Sequence, residues 1–309
     1  MSSKNIIIIL SSAALVVIVL LAFTKPAENP SSNLSVPTEP ATAAVQNVTA
    51  PPIPSELDFA GEEMPLDEFD VYERIDRELT VNTFYHSQII KFLKLTPRYF
   101  EIIEPILKEN KIPDDFKYLA LAESSFDPKA LSPSGAVGIW QFMKAAGKEY
   151  GLEVNDDVDE RYNIEKATVA ACKYLNESYA IYGNWTMVAA SYNAGKTGVS
   201  KFAQNQKEDN YYDLLLAEET NRYVFRIVAL KTILSAPEKY GFHVKKSEVY
   251  PSLAYTTVEV SGPIANLTDF AKKNGTNYKL LKTFNPWLRD TSLKNEFKKT
   301  YQIKIPKMK

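Results

Sequence analysis

The chain has 309 residues, room for roughly two domains at about 150 residues each, and its 45% hydrophobic and 24% charged residues suit a globular protein with a sizeable core. A formal net charge of −2 provides no basic excess to hold phosphates, which excludes a nucleic-acid polyanion as the main partner. The single cysteine, Cys172, excludes an intrachain disulfide framework and a multi-cysteine metal site, and its helical spacing in "KATVAACKYL" marks it as a small buried hydrophobe.

Residues 6–23, "IIIILSSAALVVIVLLAF", carry no charge over 18 positions. That length is at the short end for a bilayer-spanning helix and exceeds the usual signal-peptide core of about 7–15 residues. No small-x-small cleavage site follows, and no cysteine stands there to accept a lipid. The segment reads as an uncleaved signal anchor with the bulk of the chain outside the cytoplasm; a cleaved signal peptide is the alternative. The next stretch, "TKPAENPSSNLSVPTEPATAAVQNVTAPPIPSE", is rich in Pro, Ala, Ser and Thr and poor in large apolar residues, so it reads as a semi-extended tether.

Residues 67–240 read as helical almost throughout. "VNTFYHSQIIKFLKL" has apolar residues at helical steps and is expected to stop before Pro97, with "RYFEIIEPILKEN" following as a second helix. Pro113 and Asp114 start the helix that holds Glu123, and Pro128 is expected to end it. "IEKATVAACKYLNESYAIYG" is a long helix closed by Gly183; Asn184 then caps "WTMVAASYNAG", and "EETNRYVFRIVALKTILSAP" runs up to Pro237. After Lys246 the pattern changes to strand ("AYTTVEVSG"), two short helices ("IANLTDFAKKNG", "NYKLLKTFNPWL") and a closing strand ("KTYQIKIP"). The expected class is mainly α. Its division is residues 1–23 stub and anchor, 24–65 linker, 66–245 helical domain and 246–309 a small βααβ module, too small for much core and therefore read as a separate binding unit.

Glu123, in "LALAESSF", is out of place in its helix. Its i−3, i−4 and i−7 neighbours are Ala120, Leu119 and Phe116, so it stands on an apolar face, where desolvation favours the protonated carboxyl. "SPSGAVGIWQFM" adds Gly135 and Gly138, where backbone can approach a ligand closely, with Ser132 and Gln141 as polar groups to orient one. "SYNAG" places Tyr192 and Asn193 at a helix end. A protonated carboxyl, amides and aromatic rings are what cleavage of a glycosidic bond requires. Asp127 precedes Pro128 and reads as a turn residue. His86 and His243 lie far from these motifs, and no metal or cofactor is implied.

Taken in order, Glu123-Ser124, Ser132, Gly135-Ala136, Gly138, Gln141 and "ASYNAG", with the lead-in "KIPDDFKYLALAES" and the later "VDERYNIEKATVAACKYL", resemble the goose-lysozyme-like soluble lytic transglycosylase domain, in its membrane-bound lytic murein transglycosylase D branch. The resemblance implies a lysozyme-like helical fold acting on peptidoglycan glycan strands, with Glu123 as acid and then base and with 1,6-anhydromuramic acid ends as product. It implies that Met143 and Glu219 line the saccharide cleft and that Tyr192 orients the carboxyl; Trp140 and Phe142 either stack on sugars or pack. The tail resembles a LysM module through Gly275, Asn285 and "IKIP", although "VSGPIANL" replaces the usual "GDTL" turn. The uncharged run at residues 6–23, not the resemblance, implies the place: the cytoplasmic membrane, with the enzyme in the periplasm. A hydrolytic muramidase and a non-catalytic wall-binding protein are the two alternatives.

Overall fold

The computed structural model describes residues 48–307. The apolar residues 6–23 and most of the tether lie outside them; among the described residues no helix is long and apolar enough to cross a membrane. Chain order begins with a small antiparallel hairpin, β1 (Asp58–Phe59) and β2 (Glu62–Glu63). Eight helices follow: α1 (Phe69–Phe84), α2 (His86–Glu109), α3 (Phe116–Ser124), α4 (Lys144–Glu149), α5 (Ile164–Tyr182), α6 (Trp185–Ala194), α7 (Lys196–Gln206) and α8 (Glu218–Ser235).

Local signals set most of these boundaries. Asn163 caps α5 by accepting from the Lys166 N–H, and Gly183 closes it at φ +72°. Asn184 then accepts from the Met187 N–H to open α6. The break expected at Pro97 is absent: α2 runs through both Pro97 and Pro105, and the chain instead turns at Tyr85. A proline costs a helix about 3 kcal/mol, but Ile89, Phe92, Tyr99, Ile103 and Leu107 are buried on both sides of Pro97. At about 1.5–3 kcal/mol for each fully buried side chain, that face outweighs the penalty. The Thr96 hydroxyl turns to the Leu93 carbonyl that Pro97 leaves without a donor, at 3.4 Å. Likewise α3 ends at Ser124, with Ser125 as its left-handed C-cap, before Pro128 is reached.

Helix α8 is the central element, packed against α1, α3 and α6, with Tyr223, Val224, Ile227, Val228 and Ile233 buried. Cys172 is buried in the same core, as its spacing predicts.

The tail folds as β3 (Tyr255–Val260), α9 (Leu267–Lys273), α10 (Tyr278–Phe284) and β4 (Tyr301–Pro306), with the two strands antiparallel and Val258 opposite Ile303. The order is the expected βααβ, but the unit is not separate. Its core of Leu267, Leu281, Leu288 and Ile303 also contains Val137, Val158 and Tyr162 of the helical part. Val158 bridges to Leu288, the Arg289 N–H donates to the Asp157 carbonyl at 2.8 Å, and Lys299 pairs with buried Glu153 at 2.8 Å. A module of this size has too little apolar surface of its own, and it completes its core by borrowing Val137, Val158 and Tyr162 from its neighbour.

Candidate active site

Glu123 sits in the last turn of α3. The helix stops there because Ser125 and Phe126 both take φ +54°, and the buried Phe126 ring anchors the turn against Tyr99 and Phe100. Its carboxyl is partly buried, and Tyr223 on α8 donates its hydroxyl to Oε1. Burial pushes the Glu123 pKa up to about 7 from the ordinary 4.5. The Tyr223 bond and the Arg226 charge pull the other way, and the nearby Glu219 charge adds to the rise.

The charges around it are already committed. Arg226 forks onto Glu219 at 2.8 and 3.3 Å, and this bond holds the Glu219 carboxyl below the usual range. On its other side Arg226 lies 3.9 Å from Glu78 of α1, which is buried and takes a 2.6 Å bond from Arg222. The guanidinium is thus shared between two carboxylates, which blunts its pull on the Glu123 proton.

Tyr192 lies near enough for the Glu123 charge to act on its hydroxyl, whose pKa burial holds well above the phenol range. That hydroxyl donates to the Trp140 carbonyl at 2.7 Å, not to Glu123. The tyrosine bonded to the carboxyl is therefore Tyr223, which sequence reasoning did not single out. A signal was present: Tyr223 is four residues after Glu219 in "EETNRYV", one turn along the same helix face. Asn193 accepts from the Thr220 hydroxyl at 2.8 Å and so ties the end of α6 to the start of α8 beside Glu219.

Ser132, Gln141 and Met143 belong to a loop that makes its own bonds. The Ser132 hydroxyl accepts from the Ala136 N–H at 2.9 Å, and the Gln141 amide folds back to the Gly138 carbonyl at 2.8 Å. Val137 bridges to Leu131 and to Phe142, isolated strand pairings within a region expected to be helical almost throughout. Met143 is exposed at the N-terminal end of α4 and is not a core residue. Trp140 and Phe142 are both buried, with the Trp140 indole N–H on the Thr168 hydroxyl at 2.8 Å, so both pack and offer no free face to a sugar. Asp127 accepts from the Lys129 N–H at 2.8 Å, the turn role read from sequence.

One organising residue escaped the sequence reading. Arg161, buried, forks onto Asp159 at 2.9 and 2.7 Å and donates to the carbonyls of Phe142 at 3.0 Å and Gly135 at 3.3 Å. Its own backbone carbonyl lies so close to Gly138 that any Cβ there would meet it at 2.1 Å.

Residues 101–215 match the family model described as the transglycosylase SLT domain. Residues 256–309 match the soluble lytic transglycosylase C-terminal LysM-like domain. The chain is 30% identical over 245 residues to membrane-bound lytic murein transglycosylase D of Escherichia coli strain K12, covering 76% of this chain and 52% of that protein. It therefore spans about half the length of that relative. A shorter match, 39% over 85 residues and 27% of this chain, is to 6% of the peptidoglycan transglycosylase gp16 of Escherichia phage T7. Among solved structures, the 70 kDa soluble lytic transglycosylase of Escherichia coli aligns at 21% identity and TM-score 0.38, over 50% of this chain and 27% of that one. Glu123, Ser132, Gln141, Met143, Tyr192 and Asn193 all fall inside the residues that match the SLT model; Tyr223 and Glu219 follow them on α8.

Proposed function

We propose that the chain is a peptidoglycan lytic transglycosylase that cleaves the β-1,4 bond between N-acetylmuramic acid and N-acetylglucosamine. The observation that carries this reading is Glu123, whose pKa is raised to about 7 and whose carboxyl is held by Tyr223 within a fold built on an SLT domain. Neutral Glu123 donates its proton to the bridging oxygen as the N-acetylglucosamine leaves. The carbonyl oxygen of the muramoyl N-acetyl group closes on C1 and takes up the developing charge, a substrate-assisted route with one protein carboxylate. Glu123, now ionised, accepts the C6 hydroxyl proton while O6 attacks C1 and displaces the N-acetyl oxygen. The ring closes as a 1,6-anhydro sugar, Glu123 is protonated again, and no water is consumed.

Hydrolysis by a lysozyme-type route is the rival. It calls for a second carboxylate free to activate water, but Glu219 is forked by Arg226 and Asp127 is engaged in its own turn. We assign Ser132, Gln141, Met143, Tyr192, Asn193 and Glu219 to the saccharide cleft around Glu123, and Tyr223 to positioning of its carboxyl. The C-terminal module is assigned to glycan binding. A cleft of about 520 Å³ on its seam with the helical part, lined by Tyr255, Phe284, Trp287 and Lys304 among others, supports that assignment. Digestion of purified murein sacculi tests the whole reading. Soluble products should end in 1,6-anhydromuramic acid, and enzyme should pellet with the undigested wall; reducing muramic acid ends would place the protein among hydrolases.

For its location, the supporting feature is the uncharged run at residues 6–23, longer than a signal core and without a lipid-accepting cysteine. We assign it as a retained anchor that keeps the enzyme on the outer face of the cytoplasmic membrane. The protein should stay in the pellet after an alkaline carbonate wash. A soluble form with a mature N-terminus near Lys25 would show a cleaved signal instead.

A further inference from the structure

We propose that the C-terminal module is a working wall of the site: it holds Val137 and Asp159 in place and, through Arg161, sets the shape of the loop at residues 132–143. This rests on the assignment of that loop to the saccharide cleft. Two separate lines of contact run from the module to the loop. The first is apolar: Val137, within the loop, is buried in one cluster with Leu267, Leu281, Leu288 and Ile303 of the module. The second is polar and passes through a buried ion pair. The Asp159 N–H donates to the Trp287 carbonyl at 2.8 Å, and the neighbouring Val158 bridges to Leu288, so the module fixes this stretch of backbone. Both Asp159 carboxylate oxygens take the Arg161 fork, and Arg161 in turn donates to the Phe142 and Gly135 carbonyls.

Those two carbonyls stand on either side of Gly138 and Gln141, so the fork clamps the loop from both ends. A planar guanidinium with fixed donor directions suits this task, because a carboxylate and two carbonyls must be met at once. The ion pair is also enclosed, with side-chain exposures of 8% and 9%, so water cannot substitute for either partner. Glu123 is held by different elements, α3 and α8, and does not depend on the clamp. Arg161 and Asp159 are thus positioning residues for substrate, and the module is needed in the same chain as the loop it shapes. This departs from the reading of the tail as a separate binding unit.

The test uses the full chain with two substitutions, Arg161→Lys, which keeps the charge and loses the fork, and Leu288→Ala, which loosens the module side of the seam. Hydrogen exchange of the amides at residues 137–142 should quicken at least about tenfold in each folded variant, while those of α3 and α8 keep their rates. On soluble glycan chains, KM should rise at least about tenfold with kcat held more nearly constant, and the alkaline limb of the pH profile should stay in place, since Glu123 is undisturbed. Unchanged loop exchange in either folded variant overturns the proposal, as does an unchanged KM in the folded variants when the wild type cleaves normally. A wild type that cleaves no glycan defeats the enzymatic reading instead, and loop exchange still decides whether the module braces the loop.

Discussion

Replacing Glu123 by Gln should give a folded protein with at least about 10²–10⁴-fold less glycan-cleaving activity. The amide fits the same space beside Tyr223 but can neither donate the proton to the leaving oxygen nor accept one from the C6 hydroxyl. In the wild type the competent form is the neutral acid, so kcat/KM should fall as pH rises through about 7. Stability carries the same signature. The folded pKa lies above the ordinary 4.5, so folding takes up a proton, and the stability linked to it is full below about 4.5 and lost as pH rises through about 7. The whole effect is at most roughly 3 kcal/mol, and less because the group keeps some contact with water. The Gln variant lacks this loss, so its melting temperature should gain on the wild type between those two pH values. Near-normal turnover by the folded variant would remove Glu123 from its role.

Gly138→Ala should be among the most damaging single substitutions in the helical part, costing more than about 4 kcal/mol or displacing the loop outright. Two physical costs combine. Gly138 has φ +77°, a left-handed conformation that costs an L-residue about 1–2 kcal/mol. A Cβ would also lie 2.1 Å from the Arg161 carbonyl oxygen, which is backbone and cannot swing aside. Gly135 supplies the control. It has φ +86° but nothing within 4 Å of a built Cβ, so Gly135→Ala should show only the conformational cost. Denaturant unfolding of the two variants separates the terms, and equal losses would show that the close approach at Gly138 is not limiting.

Much of this protein could be read locally. Helix caps act over three or four residues, so Asn163, Gly183 and Asn184 mark their boundaries in the sequence itself. The apolar neighbours that make Glu123 anomalous are also within two turns of it, and the raised pKa follows from them. Strand and helix order in the tail was legible for the same reason. What the sequence could not decide was which distant groups meet. Tyr223 reaches Glu123 across 100 positions because α3 packs on α8, and its place one turn after Glu219 does not by itself say which tyrosine meets the carboxyl. The persistence of α2 through Pro97 depends on an apolar face whose burial outweighs a local penalty. Val137 lies in the tail's core because the small module completes its interior against a neighbour, and Arg161 reaches the Phe142 carbonyl across 19 positions through tertiary packing. Short-range rules settle the elements because backbone hydrogen bonds and capping act between near neighbours along the chain; the clamp, the hydroxyl on the acid and the shared core arise from burial, which is settled only when the elements pack.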